Sequence, residues 1–375
     1  LSQRAHHGNS PMTEPLPSLD DVRQSIDRLD GEIQALISER ARCAQQVAQI
    51  KLRESPDTTV FYRPEREAQV LQKVMARNAG PLHPETMARL FREIMSACLA
   101  LEHKLNIAFL GPNGTFTQTA AVKHFGHGVN TSPLATIDEV FREVAAGSAD
   151  YGVVPVENST EGMVSHTLDS FLNSNLRIIG EVELRIHHHL LVGEGTRTES
   201  ISRIYSHQQS LAQCRQWLDA NFPRAERVAV SSNAEAARRV NGEWHSAAIA
   251  GETAAEIYGL KQLHQRIEDN PNNTTRFLII GREAVSASGS DKTSIIITAK
   301  NQPGALFTIL EPFHRRGINL TRIESRPSKH DIWTYAFFID FEGHQDDAAV
   351  QEVMAELEPR MREVKWLGSY PKAVL

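Results

Sequence analysis

From Leu19 to about His103 the apolar residues return every three or four positions. Val22, Ile26, Leu29, Ile33, Leu36, Ile37, Val47 and Ile50 fall along one face of a single helix. At roughly 35 residues such a helix exceeds the globular norm, and its stripe must be covered by something. Pro64 is suited to the first turn of a second helix, "PEREAQVLQKVMARN", which ends before Gly80-Pro81. "PETMARLFREIMSACLALEH" reads as a third. Three helices in under about 90 residues bury little by themselves, so the pattern predicts at least a dimer.

At Lys104 the pattern changes. "LNIAFLG", "GVVPV", "LRIIGEVEL", "HHHLLVG", "AVSSN", "AAIAG" and "RFLIIG" are short β-rich runs separated by helical stretches, an α/β alternation over residues 104–283. Ligands of such sheets settle outside the carboxyl ends of the strands. In "GVVPVENSTEG" a buried run opens onto Glu157, Asn158, Ser159, Thr160 and Glu161. That is either a helix cap or a set of donors and acceptors aimed at an anion. "LGPNGTFTQTAA" has the layout of a ligand-binding turn, but its glycine spacing fits neither a Walker loop nor a dinucleotide fingerprint. Residues 284–291 form a small-residue linker. The remainder, 292–375, runs strand, helix, strand, strand, helix, strand, the split βαβ order of a ferredoxin-like α+β domain.

Composition narrows the classes. A net charge of −6 lacks the basic field of a nucleic-acid binder. No apolar run approaches the ~20 residues that span a bilayer, and no signal peptide is evident. Cys43, Cys98 and Cys214 are odd in number and lack metal spacing, which suits a reducing cytoplasm. Residues 1–18 are expected to be a disordered tail, with Met12 a candidate start.

Arg40 and Lys51 are eleven residues apart, within about 20° of one helix face and roughly 16 Å along its axis. Arg23 lies about 100° round from Arg40, as suits a residue serving a different pocket. Cys98 and Glu102 make an i, i+4 pair. Such arginines commonly snorkel into solvent, but several cations on one helix can also clamp a dicarboxylate. His187-His188-His189 could suggest a metal, yet consecutive strand residues point to opposite faces and favour a structural strand.

"IDRLDGEIQALISERARCAQQVAQIK" with "YRPERE" resembles an all-helical chorismate mutase domain over residues 19–103. "GPNGTF", "PVENSTEG", "SHQQSLAQC" and "NTTRF" together resemble prephenate dehydratase. "GALF" and "ESRP" resemble the ACT regulatory domain. Their order is similar to that of the bifunctional chorismate mutase–prephenate dehydratase family. The resemblance implies a middle domain of two α/β lobes, like type II periplasmic binding proteins. It implies conversion of chorismate to prephenate to phenylpyruvate, with no metal or cofactor, under feedback by phenylalanine.

By the same resemblance, Arg23 (from across a dimer) and Arg40 hold chorismate's carboxylates and Lys51 donates to its ether oxygen. Arg66 and Glu67 match the family's Arg-Glu pair, the Glu facing the substrate hydroxyl. Glu102 stands where a Gln can face the ether oxygen, Cys98 where a Ser can occur, and Arg63 where an Asp is common. Thr275 corresponds to the catalytic threonine of the dehydratase. Thr115, Phe116, Asn158, Ser159, Thr160, Ser206, His207, Gln209, Arg276 and Phe277 are its expected substrate-binding company. Gly304, Ala305, Leu306, Phe307, Glu324, Ser325, Arg326 and Pro327 are the expected phenylalanine site, and residues 286–375 are expected to be removable without loss of activity. A non-catalytic amino-acid sensor built from the same parts is the rival reading. It leaves Thr275, Arg40 and Lys51 without a purpose.

Overall fold

The computed structural model describes residues 17–54, 60–300, 302–327 and 334–375, so the expected tail lies outside the described residues except for its last two. The chain forms two compact units, one containing the first helix and one running from Val60 to Leu375.

Helix α1 spans Leu19–Glu54, 36 residues, with Asp20 and Asp21 in its first turn and Lys51 and Arg53 in its last, both signs matching the helix dipole. Ser18 caps it, its Oγ accepting from the Asp21 amide at 3.2 Å. The periodic stripe is open to solvent: Ile33 is 54% exposed and Leu36 64%.

The second unit begins with α2 (Pro64–Ala76) and α3 (Pro84–Glu102), each opening on the proline expected to start it. They dock on the adjoining α/β lobe through polar contacts. Tyr62 Oη lies 3.0 Å from His124 Nε2, and Arg92 Nη1 donates to the Lys123 carbonyl at 3.0 Å.

Two lobes come next. The first takes β1 (Asn106–Leu110), β2 (Asn130–Leu134), β3 (Tyr151–Asn158), β4 (Gly162–Met163) and β5 (Arg177–Arg185). The second takes β6 (His189–Val192), β7 (Arg203–His207), β8 (Glu226–Val230), β9 (Ser246–Ala250) and β10 (Lys261–His264). Then β11 (Thr274–Gly281) returns to the first lobe and runs antiparallel between β3 and β5. The strand orders are β2-β1-β3-β11-β5, with β4 beside β3, and β10-β6-β9-β7-β8. The chain therefore crosses between lobes twice, at residues 186–188 and 265–273. Such a crossover pair leaves a cleft at the strands' carboxyl ends.

The last domain holds β12 (Asp291–Lys300), β13 (Leu320–Pro327), β14 (Thr334–Glu342) and β15 (Glu363–Pro371), in the order β13-β14-β12-β15. Ile295, Ile297, Ile339 and Phe341 pack with Phe313 and Leu357 of the helices Ala305–Arg315 and Ala348–Leu357. Alternation sends Ile296, Phe338, Leu367 and Tyr370 into a shared core with Leu168, Phe171, Ile178 and Leu278 of the first lobe. The linker is a packed strut: Val285 is buried, and its carbonyl accepts from His344 Nε2 at 2.9 Å.

That shared core argues against the expectation that residues 286–375 are removable. Their loss would expose the apolar side chains beneath, each worth about 1.5–3 kcal/mol when fully buried. Gly368 marks how close the layers are. Its φ is +141°, and a Cβ there would lie 2.3 Å from the Ile178 carbonyl oxygen. Gly368→Ala is expected to destabilise the protein by about 2 kcal/mol or more, through strain and separation of the layers. A thermal unfolding scan checks it.

Candidate functional site

The mouth between the lobes encloses about 610 Å³. Thr115, Phe116, Asn158, His207, Gln209 and Thr275, six residues expected from sequence, line it together. They come from the turn after β1, the end of β3, the end of β7 and its following helix, and the start of β11. The fold thus brings strand ends that are far apart in sequence to one wall.

Hydrogen bonds fix the direction of the Thr275 hydroxyl. Asn158 Oδ1 accepts from the backbone amides of Thr160 at 2.9 Å and Glu161 at 3.1 Å. Its other end must therefore be the donor, and Nδ2 gives one hydrogen to Thr275 Oγ1 at 2.7 Å and one to Asn273 Oδ1 at 2.9 Å. Because Thr275 Oγ1 accepts, its own hydrogen is left to donate into the cavity it lines. The segment after β3 is consequently a tight turn held by Asn158, and the helix-cap reading of it fails.

The cleft lining contains no Lys or Arg among the described residues. It does contain Thr115, Val164 and Ser232, the N-cap residues of the helices Phe116–Phe125, Ser165–Asn173 and Asn233–Val240. Three helix N-termini supply positive potential without a formal cation, and at one of them Ser232 Oγ accepts from the Glu235 amide at 3.0 Å. Asn233 fixes the second-lobe wall: its Oδ1 accepts from the His207 amide at 3.1 Å and from Ser210 Oγ at 3.0 Å.

Five expected substrate contacts are corrected. Ser206 is fully buried, its Oγ donating to the Ile249 carbonyl at 2.8 Å. Ser159 Oγ accepts from the Thr274 amide at 3.0 Å and so pins the returning crossover. Thr160 is exposed outside the lining. Phe277 is core, 2% exposed. Arg276 points the opposite way from Thr275, as neighbours on a strand must. Its Nε donates to Glu181 at 3.0 Å and its Nη2 to Asp340 of β14 at 2.6 Å. Lys292 also meets Glu181 at 2.7 Å, and Asp340 Oδ1 accepts from Ser294 Oγ at 2.6 Å. Burial would lower the Arg276 pKa, but Tyr370, Asp340 and Glu181 raise it above its ordinary value and keep it charged. Arg276 is thus a tie between the lobe and the last domain.

Three family models match in the order read from the sequence: chorismate mutase type II at 22–103, prephenate dehydratase at 107–285, and ACT domain at 293–359. A bifunctional chorismate mutase/prephenate dehydratase of Pseudomonas aeruginosa is 62% identical over 356 residues, 94% of this chain and 98% of that one. The chain belongs to the bifunctional chorismate mutase/prephenate dehydratases. It is an enzyme with a helical mutase domain, a two-lobed dehydratase domain and an ACT domain. A prephenate dehydratase of Arthrobacter aurescens in complex with L-Phe is 36% identical, with a TM-score of 0.67 over 71% of this chain and 90% of that one. A structure titled GqqA, a novel type of quorum quenching acylase, is 30% identical at the same TM-score over 72% of this chain and 98% of that one.

In the mutase domain, α1 carries Arg23, Arg40 and Lys51, and Arg23 lies 3.7 Å from Asp20. Arg66 is exposed on α2, and Cys98 (buried) and Glu102 (half-buried) share a face of α3. Glu67 is corrected. Its carboxylate accepts from Arg92 Nε at 3.2 Å and lines a small cavity with Tyr62, Lys123 and His124 on the dehydratase lobe. Burial pushes its pKa up against the pull of Arg92.

In the ACT domain, Gly304 (φ +80°) precedes the helix in a left-handed conformation, with open space where a Cβ would stand. Its glycine is required by the backbone turn. Ala305, Leu306 and Phe307 begin the helix, and Phe307 is 71% exposed. Glu324, Ser325, Arg326 and Pro327 end β13, an edge strand. Arg326 is corrected: its Nη1 donates to Ser165 Oγ at 2.6 Å and its Nη2 to Asp169 at 3.1 Å, both in the dehydratase lobe.

Reading the sequence missed His188, Gln213, Ser232, Asn233 and Asn273 in the cleft lining. Gln213 and Asn273 lie inside "SHQQSLAQC" and "NTTRF", and Ser232 and Asn233 come directly after β8. Burial works to raise the Asp340 pKa, but Arg276, Arg322 and Ser294 hold it below its ordinary 3.8. A depressed value means its contribution is whole above the unfolded pKa and is lost as pH falls toward the folded one. Asp340→Asn leaves two buried arginines short of a counter-charge and is expected to cost about 3 kcal/mol or more at neutral pH. The gap between variant and wild type should narrow below about pH 4, measured by denaturant titration across pH.

Proposed function

We propose that the cleft performs the dehydration of prephenate with Thr275 as hydrogen-bond donor to the departing ring hydroxyl. The observation that carries this reading is the Asn158 amide, which occupies Thr275 Oγ1 as an acceptor and leaves its hydrogen for a ligand. As the ring carboxylate leaves as CO2, its bonding electrons pass into the ring and expel the hydroxyl, which takes a proton from solvent and departs as water. Thr275 works by position in an enclosed site, since threonine is a weak acid. The dianionic substrate is held by the helix N-termini capped at Thr115, Val164 and Ser232, with Phe116, His207 and Gln209 completing the wall.

An acylase reading, prompted by the GqqA likeness, needs a base beside Thr275. Its Oγ1 meets a donor there, which weakens it as a nucleophile. A sensor without chemistry has no use for so specific an orientation.

For the mutase we propose Arg23, Arg40 and Arg66 as carboxylate ligands, Cys98 as a wall residue, and Lys51 and Glu102 facing the ether oxygen. The exposed stripe of α1 supports a dimer, in which a second copy covers it and supplies Arg23. Three free cysteines support a cytoplasmic location.

Phenylalanine inhibits, in this reading, at Gly304–Phe307 with Glu324 and Ser325, on a face that exposed Leu306 and Phe307 leave for a second copy. The route to the cleft is short. Arg322 of β13 reaches Met163 Sδ at 3.1 Å, and Met163 lines the cavity. A ligand that favours one setting of β13 thereby biases the cleft wall.

Two measurements test the assignment. Thr275→Ala is expected to lower dehydratase kcat by about 10²-fold or more with mutase intact, and Lys51→Ala to do the reverse. Equal loss of both activities in either folded variant overturns it. Glu102 donates only when protonated, so mutase kcat should fall as pH rises through its ionisation, and Glu102→Gln should flatten that limb between about pH 4.5 and 9. Superimposable profiles remove Glu102 from the mechanism.

A further inference from the structure

His188 sits in the first crossover between the lobes and is only 1% exposed. Its backbone is pinned from both sides: its amide donates to Glu268 Oε2 at 2.9 Å, and its carbonyl accepts from the Ile267 amide at 2.8 Å. The ring stands edge-on to Phe116 at 5.7 Å, and both residues line the dehydratase cleft. Nε2 lies 2.8 Å from Gln213 Oε1.

The bonds that start at Asn158 determine the rest of the chain. Asn273 Oδ1 accepts from Asn158, so Asn273 Nδ2 is the end that donates to Gln213 Oε1, at 3.0 Å. Gln213 Oε1 is therefore an acceptor, and His188 Nε2 must carry the hydrogen that meets it. Nδ1 is then a bare lone pair, buried and without a hydrogen-bond partner among the described residues. Orphaning a buried acceptor is costly, and that cost is tolerated here to aim Nε2 at Gln213. Burial also lowers the His188 pKa, against the Gln213 hydrogen bond and Glu268, which favours the neutral ring that this tautomer requires.

We propose that His188 is a positioning residue for the dehydration, holding the Thr275 hydroxyl in its donor orientation through Gln213, Asn273 and Asn158. Gln213 belongs to the second lobe, Asn273 to the returning crossover, and Asn158 and Thr275 to the first lobe. Without the imidazole N–H, Gln213 Oε1 keeps a single donor, and against its amide turning over stands the long 3.5 Å bond from Nε2 to Glu161 Oε1. After such a turn two NH2 groups would face each other at Asn273, and relieving that by turning Asn273 would bring its NH2 against that of Asn158. The donor that occupies Thr275 Oγ1 would lose its fixed place. The inference rests on the reading of Thr275 as the donor to the leaving hydroxyl.

The test uses the full-length protein and prephenate, with phenylpyruvate formation as the readout. Mutase turnover and thermal unfolding serve as controls for folding. His188→Leu is expected to lower dehydratase kcat roughly tenfold or more with KM changed by less than about threefold. His188→Gln, which returns an N–H donor near Nε2, is expected to recover most of the loss, and His188→Asn, whose shorter amide reaches toward Nδ1, is not. In a Thr275→Ala background His188→Leu should cost less than about threefold, because the two act as one unit. Wild-type kcat in His188→Leu, a change in KM alone, equal rates for the Gln and Asn variants, or full additivity with Thr275→Ala would each overturn the proposal. If His188→Leu fails to fold, the Gln–Asn comparison still decides it. Full activity in Thr275→Ala by itself would sink the underlying reading and this inference together, whereas an inactive Thr275→Ala beside an unaffected His188→Leu sinks this inference alone.

Discussion

A guanidinium buried where two domains meet constrains most of the second unit. Arg276 cannot shed its charge, and taking it out of water is tolerable only while Glu181 and Asp340 surround it. One partner lies on its own lobe and the other on the ACT sheet, so lobe and sheet must stay in contact for the ion to be satisfied. Lys292, Ser294 and Arg322 extend the same cluster and use up the remaining carboxylate oxygens. The apolar layer of Phe338, Leu367 and Tyr370 then closes over it, and Gly368 allows the backbones to approach. The ACT domain is built into the dehydratase, which is why a boundary that looks like a flexible linker in sequence is a packed strut in structure.

The order of domains, the helix starts at Pro64 and Pro84, and most strands were legible because periodicity and proline rules act locally. β2, β4, β7 and β10 were not; "NTSPL" and "KQLH" carry little apolar signal and owe their strand state to neighbours. The cleft lining was legible where a residue's place depends on its strand end, as with Asn158 and Thr275. It was misread where the role depends on which face a side chain takes. Arg276 and Phe277 come directly after Thr275, and a motif gives no warning that the first of them turns to the seam and the second to the core. Glu67 and Arg326 were lost for the same reason, each claimed by a partner from another part of the chain. Gln213 and Asn273 lie inside stretches that resemble the dehydratase and His188 in the triple-histidine run, yet none carried a site role, because a hydrogen-bond chain between segments remote along the chain is all that joins them.

Among the described residues the cleft lining has helix N-termini, one acid, Glu161, and no Lys or Arg. Helix N-termini offer partial charge in fixed directions, and fixed dipoles need no rearrangement when charge moves during a reaction. A lysine or arginine in the wall would bind the carboxylate that must be lost more tightly than the CO2 it becomes, and so would hold back the bond cleavage.

Thr275 and Arg276 are consecutive, and the alternation of a strand turns one into the cleft and the other toward the ACT sheet. This divides the ACT domain into two classes of position under selection for overproduction of the end product. With phenylalanine bound at Gly304–Phe307 as proposed, changes there would relieve inhibition cheaply, because Leu306 and Phe307 are exposed and lie outside the cluster that grounds the strand carrying Thr275. Changes at Asp340, Ser294 or Tyr370 would relieve it only by loosening the strand that carries Thr275. Desensitised but active descendants of this enzyme are therefore expected to arise from one face of the domain, since its other face grounds the strand that carries Thr275.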